Sequence, residues 1–118
     1  MAMHKIAALH RPLLASLLPD WRASTAALAR QLRRAATRQQ ARVRTGLLNA
    51  ARACESARTA GEAVEAANIA HLAAQEAVVA PVSSGTQLQA GFVEILAVIA
   101  LGAARVHRDI DAHGMGLD

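Results

Sequence analysis

From Arg22 to Arg58 the chain has no proline and a single glycine, Gly46, and its large apolar residues keep to one side. On a wheel of about 100° per residue, Leu28, Leu32, Val43, Leu47 and Cys54 fall within an arc of about 100°. Arg30, Arg34, Arg38 and Arg52 lie opposite. As one helix, the 37 positions would span roughly 55 Å. There is no period-2 alternation and no Asn-Gly or Asp-Gly pair, so strands are not expected. The segregation predicts an all-α fold with one long N-terminal amphipathic helix over 21–58.

The remaining punctuation divides the chain. Pro12 and Pro19 bracket an N-terminal segment, 1–20, in which Leu13–Leu18 is expected to form a short helical turn. Asp20 is placed to cap the helix that opens at Trp21 or Arg22. Thr59-Ala60-Gly61-Glu62 has the spacing of a capping box and predicts a second helix over 60–80, which Pro81 ends. Ser83 or Ser84 caps a third helix over 84–111, and 112–118 is expected to fray as a tail. No repeat is detectable. The chain, 118 residues long, is expected to form one domain, an antiparallel bundle of three to four helices.

The apolar material is abundant but small. There are 30 alanines against 14 leucines, eight valines, five isoleucines, one Phe and one Trp. Alanine favours helix but buries little area, at ~25 cal/mol per Å². The core is therefore expected to be thin, with Leu28, Leu32, Val43, Leu47, Phe92, Ile95 and Ile99 filling it. In the third helix the stripe Leu88, Phe92, Ile95, Ile99, Val106 and Ile110 is broadened by Val93, Val98 and Leu101 beyond what one neighbour covers. A thin core and a wide stripe both predict a homo-oligomer.

Charge is unevenly distributed. Residues 1–58 carry eleven basic and two acidic residues, whereas 59–118 carry two basic and seven acidic ones. A basic half of this kind attracts polyanions, another copy of the chain or its own acidic half. Arg30, Arg34, Arg38 and Arg42 are the candidate polyanion face. A solvated face, or one neutralised by Glu62, Glu65, Glu76 and Glu94, is the preferred reading. No helix-turn-helix accompanies the charge, and one Trp and one Phe offer little for base stacking.

Chemistry-bearing residues are few. His107 with Asp111 and Asp109 with His113 are i, i+4 pairs, but they point to different sides of a helix and read as a charged helix end. His71 has Ala67 and Gln75 at i±4 and reads as an interfacial histidine. Cys54 shares the apolar face of Val43 and Leu47, where a thiol lacks a positioned base. There is no phosphate loop, zinc-protease helix or nucleophile elbow. No catalytic residue, cofactor or metal site is expected. The single cysteine excludes an internal disulfide and suits a reducing cytoplasm. His10, Arg11 and Pro12 interrupt any secretory signal. The charge-free run Ile95–Ala104 is too short for a transmembrane span, so a buried or surface-inserted helix is expected instead.

A long Ala-rich amphipathic helix, the break Arg58-Thr59-Ala60-Gly61-Glu62-Ala63 and a second Ala-rich helix ending near a proline resemble the phasins over roughly residues 22–90. These are bacterial proteins that coat polyhydroxyalkanoate granules. The chain departs from the pattern in its apolar helix after Pro81 and its scarcity of aromatics. The resemblance implies a helical, oligomer-forming coat that lays apolar helix faces on a hydrophobic polymer, with non-specific DNA affinity and no catalytic residues. The expected function is accordingly non-enzymatic. The face Phe92, Ile95 and Ile99 meets a hydrophobic granule or a partner helix, and the alternative is a small nucleic-acid-associated protein using the arginine face.

Overall fold

The computed structural model describes residues 20–117, with side-chain surroundings through Ala112. Of the expected 1–20 segment, residues 1–19, with the turn between Pro12 and Pro19, lie outside the described residues. Four helices form an all-α bundle: α1 (Trp21–Ala36), α2 (Ala41–Ser56), α3 (Ala60–Val78) and α4 (Ser84–Leu117). Sequential helices pack side by side, α4 closes the ring against α1, and α1 also meets α3 across the middle. Trp21, at the start of α1, clusters with Ala60, Ala63 and Val64 of early α3 and with Ala103 and Ala104 of α4. The chain therefore runs up, down, up and down.

Three caps follow from local chemistry. Asp20 accepts the Arg22 N–H at 2.9 Å. The Thr59 hydroxyl accepts the Glu62 N–H at 3.1 Å, and the Glu62 carboxylate reaches back to the Arg58 N–H at 2.9 Å. This is the expected box with its return bond shifted one residue toward the N-terminus. Ser83, rather than Ser84, caps α4 by accepting from the Thr86 N–H at 3.3 Å. Pro81 ends α3 slightly ahead of itself, at Val78, because the residue before a proline disfavours the helical region.

The long helix over 21–58 is not continuous; it breaks at 37–40 into α1 and α2. From Arg33 to Arg42 no large apolar side chain holds the chain to a core. Folding the two halves back on each other buries Leu28 and Leu32 in the same cluster as Leu47 and Cys54, with Val43 packed at its edge. The lost helical bonds are replaced locally. The Thr37 hydroxyl donates to the Arg34 carbonyl at 2.7 Å. The Arg44 guanidinium donates to the Ala36 and Gln39 carbonyls at 3.2 and 2.9 Å. Across the two helices, Arg33 and Glu55 form a bidentate pair at 2.5 and 2.6 Å.

The third expected helix reverses its predicted orientation. Phe92, Ile95 and Ile99 were expected in the core, yet they are 52%, 58% and 50% exposed. Ala90, Val93, Ala97, Ala100, Ala103 and Ala104 are the buried face instead. The buried face of α3 is also nearly all alanine: Ala63, Ala66, Ala67, Ala70, Ala74 and Ala77. Two flat alanine faces form the most extensive helix pairing of the bundle, whereas Phe92 and Ile99 turned inward would prop the helices apart. α4 also runs past the expected end at 111, through Leu117. It overhangs the bundle, so the molecule measures 59 × 23 × 17 Å.

Candidate docking face

α4 carries apolar residues on two opposite sides. Its inner side belongs to the core. Along its crest, facing away from the bundle, run Leu88, Phe92, Ile95, Ile99 and Val106, with Val98 beside them, all exposed. Their spacing alternates four and three residues, and Gly102 fills the one place where a large side chain is missing. This 3.5-residue period keeps a ridge straight along a helix that pairs with another. A Cβ added at Gly91 or Gly102 would meet nothing within 4 Å, so the ridge has open space at both glycines. By length and composition α4 is apolar enough over Ser84–Ala112 to cross a membrane, and only 33% of its most apolar stretch is buried.

A smaller patch lies on α3. Ile69, Leu72 and Val79 are exposed beside an open cleft of about 670 Å³ that Gly46 and Asn49 of α2 and Glu76 of α3 also line. Arg42 reaches toward this cleft, 3.8 Å from Glu76.

The arginine face is divided by the break in the chain. Arg30 and Arg34 lie on α1, Arg38 in the turn and Arg42 in the first turn of α2, and all four are exposed. Arg30, Arg34 and Arg38 have no carboxylate partner among the described residues. Arg33 and Arg44, by contrast, are committed to structure. The bond from Arg33 holds the Glu55 carboxyl below the ordinary carboxylate range, aided by the charges of Arg33 and Arg52.

At the far end of the α1–α2 pair, Trp21, Ala29, Cys54 and Ala57 line a cleft of about 460 Å³ with Arg22, Arg30 and Arg58. The Arg22 guanidinium stacks over Trp21, 4.7 Å from the ring centre. Burial pushes the Cys54 thiol up to about 12, and the Glu55 charge adds to the effect. The thiol is therefore protonated and inert at neutral pH, the reverse of what a nucleophile requires.

Among the described residues, no three His, Cys, Asp or Glu side chains come together as a metal-ligand set. The His113 side chain, half of one expected pair, lies outside them. Comparison with protein families, with curated proteins and with solved structures finds no match to this chain.

At the sequence level Phe92, Ile95 and Ile99 have two places, the core and a partner-facing surface; they are exposed, and a signal that decides between the two exists. Ala90, Ala97 and Ala104 recur every seven residues, directly opposite Phe92, Ile95, Ile99 and Val106. In a chain whose other helices bury alanine, that column marks the inner face.

Proposed function

We propose that this protein is a non-enzymatic structural or binding protein whose α4 crest docks on an apolar partner. One observation carries the reading: among the described residues, the longest row of exposed big apolar side chains, Phe92 among them, is held outside the bundle by an alanine core. Full burial of such a side chain is worth about 1.5–3 kcal/mol, and most of these are about half exposed, so roughly half of that stabilisation is still to be gained. A phasin-like coat on a hydrophobic granule is one form of this reading, supported by the alanine-rich composition; the single long first helix of that layout is two helices here. A protein of this kind needs no cofactor and acts where its apolar partner is, which for the phasin-like form is the cytoplasm.

Because the crest is exposed, charge introduced there leaves the fold intact. Ile95→Asp or Ile99→Asp is expected to keep the helical circular dichroism and cooperative unfolding of the parent while abolishing self-association or adsorption to an apolar surface. Unchanged association in both variants overturns the proposal.

A second reading rests on Arg30, Arg34 and Arg38, which are exposed and have no carboxylate partner among the described residues. They form a cationic patch suited to a phosphate backbone. Duplex DNA binding that weakens steeply with salt and disappears in Arg34→Glu/Arg38→Glu supports this reading; absence of binding at low salt removes it.

A further inference from the structure

We infer that the partner of the α4 crest is the α4 crest of a second copy, packed antiparallel in one register. This rests on the reading of the crest as a docking face and adds the identity and geometry of what covers it. The crest is self-complementary in only one direction. If two copies of α4 run antiparallel about a two-fold axis at Ala97, Phe92 of each faces Gly102 of the other. The largest side chain of the ridge then meets the ridge's own glycine, where an added Cβ would have nothing within 4 Å. In the same register Leu88 faces Val106, and Ile95 faces Ile99, so every layer is filled. A parallel pairing sets Phe92 against Phe92 and leaves a gap between two copies of Gly102. It is therefore overfilled at one layer and empty at another.

Charge selects the same arrangement. The first turn of α4 carries no acidic residue. The antiparallel register brings Asp109, whose carboxylate also accepts from Arg108 at 3.3 Å, level with Gly85 in the first turn of the partner's α4. A carboxylate there complements the positive end of the helix. The pairing is isologous and closes as a dimer, so it leaves no crest free for further growth.

The geometry is read directly by spin labels at Val98→Cys and Arg105→Cys in a Cys54→Ala background, with distances measured by pulsed electron resonance. In the antiparallel dimer the labelled backbones are separated along the axis by ~3 Å at 98 and ~24 Å at 105, because the offset doubles with distance from residue 97. A parallel dimer gives the same short distance at both positions and overturns the inference. Light scattering of the unlabelled chain is expected to give twice the monomer mass, and Gly102→Phe, which fills the space that Phe92 enters, to halve it. A wild-type chain that is monomeric at all concentrations, yet adsorbs to phosphatidylcholine vesicles in a manner abolished by Ile99→Asp, overturns the dimer while leaving the docking face standing. If Ile99→Asp changes neither mass nor adsorption, both readings fail.

Discussion

Two residues in the α1–α2 turn carry costs that the rest of the fold absorbs. Ala41 adopts φ 46, the left-handed region that a Cβ disfavours. Gln39 is 1% exposed, and neither amide atom of its side chain has a partner. A buried, unsatisfied amide costs about 1–3 kcal/mol, whereas an apolar side chain of similar shape does not. Gln39→Met is thus expected to raise the unfolding free energy by roughly 1–3 kcal/mol, and Ala41→Gly by about 1 kcal/mol through relief of the backbone; denaturant titration of each variant measures both. Cys54 belongs to the same scale. Its raised thiol value predicts negligible modification by a thiol reagent at neutral pH in the folded chain, and rapid modification once denaturant opens the α1–α2 interface. The sequence places Cys54 inside correctly, because it shares a wheel position with Leu47. It does not reveal Gln39 or Ala41, because no local rule puts a glutamine in a core or an alanine at positive φ.

At the scale of helices, what was legible followed from strong local signals. Asp20, Thr59 with Glu62, and Pro81 located three boundaries to within a few residues, since caps and prolines act on their immediate neighbours. The break after Ala36 lacked such punctuation. Its cause is tertiary: Leu28, Leu32 and Leu47 are buried together only if the chain turns back, and the ten residues between Leu32 and Val43, with no apolar side chain larger than alanine, permit it. The orientation of α4 failed for a related reason. Size ranks Phe92 and Ile99 above Ala97 and Ala100 as core residues, but close packing against an alanine-faced α3 reverses the ranking. The reversal is testable. Ala97→Leu, on the buried face, is expected to destabilise the monomer by ~1–3 kcal/mol through overpacking, whereas Ile95→Ala on the crest is expected to shift it by no more than about 0.5 kcal/mol. The Arg33–Glu55 clamp between α1 and α2 adds a pH dependence. Because the carboxyl of Glu55 is depressed in the folded state, its contribution is fully present above the unfolded carboxylate value and is lost as pH falls through the folded one. The stability difference between wild type and Glu55→Gln, followed by denaturation from neutral to acid pH, is expected to shrink toward zero.

On the scale of the whole molecule, two forces compete to set how copies meet. α1 and α2 with their flanks hold nine arginines against Asp20 and Glu55, while α3 and the described part of α4 hold six carboxylates against Arg105 and Arg108. Opposed charge on adjacent edges of one bundle favours association of the basic edge of one copy with the acidic edge of the next. That contact is heterologous and open-ended, unlike the closed pairing of α4 crests. Ionic strength separates the two, because the screening length falls from about 30 Å at 0.01 M salt to about 3 Å at 1 M. Exposed charges such as Arg30, Arg34 and Arg38 lose most of their reach over that range. Burial of Phe92, Ile95 and Ile99 loses nothing and is strengthened by excluded salts such as sulfate. The mass of the wild-type chain by light scattering is therefore expected to hold at the dimer value from low to high salt. Ile99→Asp is expected to be monomeric at high salt, and any low-salt aggregate it forms to be open-ended and dispersed by salt. A wild-type mass that collapses to the monomer at 1 M salt assigns the assembly to the arginine edge and removes the α4 crest as its cause.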